Sequence, residues 1–79
     1  MSNNKRIKVA GNELQFFREN APSMFVALIV DQLKDEGCKV GRPKVNHELY
    51  TVKHDYDERV IIAARLVLKK LKGLEYQGQ

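Results

Sequence analysis

A chain of seventy-nine residues with one cysteine, Cys38, and a formal net charge of +4 has length for one small domain, residues 1–79, and none for a second core or an internal disulfide. The longest apolar run, Met24 to Val30, falls far short of the about twenty residues of a membrane-spanning helix. The polar, basic start "MSNNKRIKVAGN" lacks the apolar stretch of a secretory signal, so the expectation is a soluble, reduced, cytoplasmic protein.

Taken in chain order, the first element reads as a hairpin. "KRIKVA" and "ELQFF" alternate polar and apolar on either side of Gly11-Asn12. With those two as turn residues, Val9 faces Leu14 and Ile7 faces Phe16 on one side of the ribbon. A single strand with a bulge at Gly11 is the alternative. Next, Asn20 as cap, Pro22 in the first turn and Gly37 as the left-handed stop frame a helix. Phe25, Leu28, Ile29 and Leu33 recur within it at helical spacing. It is apolar almost all round at its start, which predicts burial on two sides, against the rest of the fold or a second copy of the chain.

Strands resume at Cys38, with Val40 facing Val45 across the loop Gly41-Arg42-Pro43-Lys44 and Cys38 facing His47. They continue through "HELYTVKH", where Leu49 and Thr51 share one side and Tyr50 and Val52 the other. The last helix starts at Asp55 with Glu58 three residues on and stops at Gly73. Its stripe is Val60, Ala64, Val67, Leu68 and Leu71, widened by Ile61 and Leu66, and Lys69, Lys70 and Lys72 sit where the helix dipole favours cations. Residues 1–4 and 74–79 are expected to fray. The predicted fold is α+β: an antiparallel sheet of three to four strands covered on one face by two helices, in the order β-β-α-β-β-α or β-α-β-β-α.

Charge is the main pointer to function. Residues 1–20 carry a net +2, residues 21–37 −2, residues 38–54 +3 and residues 55–79 +1. Basic charge attracts polyanions without choosing among them. Lys39, Arg42 and Lys44 lie on or beside the predicted loop, and Lys5, Arg6 and Lys8 in the N-terminal arm and first strand. Convergence of the two groups would give a patch able to neutralise several phosphates; solvated segments pointing apart are the plainer alternative. Tyr50, on the strand after the loop, and Phe17, on the second strand, are the candidates to stack on a base. Gly41-Arg42-Pro43 followed by Lys44 resembles the core of an AT-hook, which implies an Arg-Pro ribbon in a narrow minor groove. The hook pattern has a cation before the glycine, where this chain has Val40, and a hairpin loop is the preferred reading.

Catalytic and metal chemistry find little support. Cys38, His47, His54, Asp55 and Asp57 match no zinc spacing, and a Cys38–His47 pair lacks a marked orienting group or oxyanion site. No catalytic residue, metal site or cofactor is predicted. The leading expectation is a non-enzymatic, basic, regulatory or accessory module that binds DNA or RNA through Lys39, Arg42, Lys44, Lys5, Arg6, Lys8 and Tyr50. The second is a protein-interaction module, an adaptor or inhibitor, dimeric through Met24, Phe25, Val26 and Leu28, because those side chains with Ile29 and Val30 exceed what one helix face buries.

Overall fold

In the computed structural model, which describes residues 5–51 and 53–76, four helices and one two-stranded sheet follow each other among the described residues. They are β1 (Arg6–Ile7), α1 (Gly11–Asn20), α2 (Phe25–Asp35), α3 (Arg42–Tyr50), β2 (Tyr56–Asp57) and α4 (Glu58–Lys72). The predicted sheet of three to four strands is therefore corrected: about 63% of the described residues are helical and 6% are strand. Expectations for residues 1–4, Val52 and residues 77–79 lie outside the described residues.

The N-terminal hairpin is replaced by a short strand and a helix. β1 pairs antiparallel with β2, Arg6 opposite Asp57 and Ile7 opposite Tyr56, while the Ala10 carbonyl accepts from the Glu13 and Leu14 N–H groups at 3.0 and 3.2 Å to open α1. Leu14 and Phe17, three apart, enter the core, and helical spacing wins over the five-residue alternation that Leu14 and Phe16 suggested. Asn20 closes α1 rather than capping α2, its side-chain amide donating to the Phe16 carbonyl at 2.9 Å. α2 begins later, after Met24 in the left-handed conformation (φ 64°), and ends as expected at Gly37 (φ 82°). The Cys38 N–H reaches the Leu33 carbonyl at 2.8 Å and the Gly37 N–H the Lys34 carbonyl at 3.0 Å, which satisfies the last carbonyls of the helix.

The pairing of Val40 with Val45 is likewise corrected. Gly41-Arg42-Pro43-Lys44 is neither a hairpin loop nor an extended ribbon but the first turn of α3, with Gly41 preceding the helix and Pro43 in its first turn. Proline fits there because its missing N–H would have no intrahelical partner. Val45, Glu48 and Leu49, at helical spacing, face inward. α4 matches its prediction best, except that Asp57 rather than Asp55 is its cap, accepting from the Arg59 N–H at 3.0 Å. Gly73 (φ 64°) terminates it, its N–H bonded to the Lys69 carbonyl at 3.0 Å. Leu74 follows with an N–H bond to Leu68, and the Tyr76 ring lies 5.5 Å from that of Phe16.

One core joins these elements: Leu14 and Phe17, then Phe25, Ile29 and Leu33, then Val45 and Leu49, Tyr56, and Val60, Ile61, Ala63, Ala64, Val67 and Leu68. α2 is the central helix, packed against α4 along one flank and α3 along the other. α1 is fixed to α4 by a two-pronged ion pair, Arg65 Nε and Nη2 to the Glu13 carboxylate at 2.8 and 3.0 Å.

Candidate nucleic-acid interface

One cation from each predicted basic group, Arg6 from the first and Lys44 from the second, meets the same carboxylate, that of Glu48. Glu48 projects inward from α3 and is 1% exposed. One oxygen accepts from the Asp57 N–H at 3.0 Å, and the other meets Lys53 Nζ at 2.6 Å, Lys44 Nζ at 3.3 Å and Arg6 Nη1 at 3.6 Å. Asp57, fully buried beside it, holds Arg59 through both oxygens and has Lys44 Nζ at 3.8 Å. Arg6 also bonds Asp55 at 2.9 Å. Burial alone would raise the carboxyl pKa of Glu48, but hydrogen bonds from Lys53, the Asp57 N–H and Lys44 outweigh it and hold the value at about 2. Asp57 is lowered in the same way, Arg59 overcoming desolvation.

This network divides the predicted cations by role. Arg6 and Lys44 are committed to Glu48, Asp55 and Asp57, and so position β1 and α3. Lys5, Lys8, Lys39 and Arg42 are exposed and have no carboxylate partner among the described residues. Lys39 and Arg42 stand at the mouth of α3, where a shallow groove is lined by Val30, Lys34, Cys38, Lys39, Val40 and Gly41. Lys5 lies just before β1 and Lys8 just after it.

Tyr50 lies at the far end of α3, 43% exposed, with the Arg18 guanidinium 5.8 Å above its ring. Arg18 is held there by a 3.1 Å bond from Nε to the Leu49 carbonyl. A second groove at this end is lined by Ala21, Pro22, Met24, Phe25, Val26, Asn46 and Tyr50. Among the described residues no acidic side chain lines either groove. The carboxylates of α2, Asp31 and Asp35, lie on its other flank with Leu28, Val67, Lys70 and Leu71.

Of the predicted interface residues, Phe25 is buried in the chain's own core, Val26 and Leu28 are half-buried, and Met24 is 69% exposed. Leu28 is turned toward α4 and Met24 toward α3, so the four form no single face. Cys38 does not meet His47: its sulfur lies 3.5 Å from Arg59 Nη1, while His47 is exposed with Nδ1 at 3.3 Å from Thr51 Oγ1. Among the described residues no three His, Cys, Asp or Glu side chains are placed to hold a metal ion. A cleft of about 430 Å³ between α1, α4 and Leu74–Tyr76 contains the Glu13–Arg65 pair, whose carboxylate is already taken up. No helix is long and apolar enough to cross a membrane among the described residues.

Sequence reading did not single out Asn46 or Lys34, and weighed His47 only as a partner for Cys38 or a metal; the three share the open side of α3 and its border with α2. The signal was present in Arg42, Asn46 and Tyr50, spaced by four, but it emerges only once Val45, Glu48 and Leu49 are recognised as a helix's inner face. Comparison with protein-family models, with curated proteins and with solved structures returns no match.

Proposed function

We propose that this is a non-enzymatic, cytoplasmic module that binds nucleic acid in a regulatory or accessory role. The observation that carries the reading is the segregation of charge. Lys39 and Arg42, exposed and without carboxylate partners, stand at the start of α3 beside Lys34, on a side whose grooves contain no acidic residue. Arg6 and Lys44, fixed on Glu48, bring β1 with Lys5 and Lys8 to the same helix. A polyanion along this side would neutralise cations that no carboxylate among the described residues neutralises, and would meet no fixed negative charge among the described residues that line the grooves.

The test is fluorescence anisotropy of labelled DNA and RNA, single- and double-stranded, between about 50 and 200 mM salt, the range over which several phosphate contacts lose orders of magnitude in affinity. Lys39→Glu with Arg42→Glu is expected to abolish binding. Lys70→Glu with Lys72→Glu, an equal change in net charge on α4, is expected to leave most of it. Lys44 is unsuited to this test, since its reversal would set a third carboxylate against Glu48 and Asp57. Equal loss in both double variants would reduce the effect to net charge and overturn the assignment to this side. A second reading, a protein-interaction module, rests on Met24, whose exposed side chain stands on a left-handed backbone beside Tyr50.

A further inference from the structure

We propose that α3 is a base-reading helix that enters the major groove of B-form DNA; this rests on the nucleic-acid reading above and names its target. The inner face of α3 is Val45, Glu48 and Leu49, and every other residue from Arg42 to Tyr50 is exposed. Arg42, Asn46 and Tyr50 follow one another at four-residue intervals along one ridge, with His47 beside them. Arginine and asparagine are the side chains whose paired donors and acceptors match guanine and adenine edges in the major groove. The ridge spans about 12 Å at 1.5 Å per residue, the length of three to four base-pair steps.

The surroundings of the ridge fit the same target. Lys39 and Lys34, both exposed, border its start, while at its end the half-buried Arg18 braces Tyr50. Cations beside the start of an exposed helix can hold backbone phosphates while the ridge faces bases. α2 supports α3 from behind, as the first helix does where a second helix reads DNA, although the connection here, residues 36–41, is longer than a tight turn. The ion network on Glu48 keeps the helix from rolling, so the ridge is presented in one orientation. A-form RNA has a major groove too deep and narrow for such a helix, so duplex DNA is the target to which the geometry points.

The experiment is repeated selection from a duplex DNA pool with a randomised centre, using the whole chain, with double-stranded RNA as the parallel probe. The wild type is expected to enrich a short consensus of a few base pairs. Asn46→Ala should lose preference at one position of it by roughly 5- to 150-fold, the range for one paired base contact. Lys39→Ala should weaken all sequences alike and lower the salt slope by about one. Circular dichroism would verify that both variants keep the helical fold. Tight, salt-dependent binding without enrichment, or equal binding of double-stranded RNA, would overturn base reading and leave the nucleic-acid reading in place. No binding to any probe in low salt would overturn both.

Discussion

At 1% exposure the Glu48 carboxyl would by itself resist ionisation, and it is ionised because Lys53, the Asp57 N–H and Lys44 all donate to it. Its pKa in the folded chain is about 2, against about 4.3 in an unfolded one. Above the unfolded value the carboxylate is charged in both states and its contribution is complete. As pH falls from there through about 2, the unfolded chain takes up the proton first and the contribution is lost, to the extent of roughly 3 kcal/mol. Asp57, lowered likewise, acts in the same direction. Urea denaturation at a series of pH values should show wild-type stability declining below about pH 4. Glu48→Gln should be less stable at neutral pH by roughly 3 kcal/mol and show a shallower acid limb. If both chains lost stability in parallel with acid, Glu48 would not be the group that titrates.

At the scale of elements, Gly11 separates the helix seen from the hairpin first read. In a two-residue hairpin turn it would need a positive φ, and alanine would be strained there. As the first residue of α1, with no atom within 4 Å of an added Cβ, Gly11→Ala should raise stability by a few tenths to about 1 kcal/mol. Thermal denaturation decides between the two, and a lower melting temperature would count against α1. α4 was legible in the sequence because its fifteen residues carry an uninterrupted apolar stripe, acids at one end and lysines at the other. α1 and α3 were not, because each has a glutamate at an inner position. Glu13 is balanced by Arg65, fifty-two residues on, and Glu48 by the Asp57 N–H, nine residues on, and by Lys53, which reaches it only once the chain turns back after α3. Removing those positions from the apolar count left Leu14 with Phe16, and Val40 with Val45, and the remainder imitated strands. The candidate site was legible as charge for the same chain-local reason: Lys39 and Arg42 could be named, but not that Lys44 and Arg6 are engaged while they are not.

On the scale of the whole molecule, the apolar excess of α2 finds its explanation in its central place. Phe25, Ile29 and Leu33 fill the core, and Val26, Leu28 and Val30 rest half-buried along the flanks toward α3 and α4. Among the described residues the large apolar side chains left exposed are Met24 and Tyr50 beside one groove and Ile62 and Leu71 on α4, too scattered to make the roughly 800 Å² that each partner contributes to a stable interface. A two-fold dimer through the side that carries Met24 would also bring two sets of Lys34, Lys39 and Arg42 into one interface, with no carboxylate among the described lining of either groove to offset them. The expected state without nucleic acid is therefore a monomer, and sedimentation velocity at low and high salt measures it. Self-association on this side should strengthen with salt, because screening relieves the repulsion of like charges. A monomer at both salt concentrations would leave the basic side open to a polyanion. A dimer that tightens with salt and dissociates on Met24→Glu would instead make that side an interface between copies and favour the protein-interaction reading.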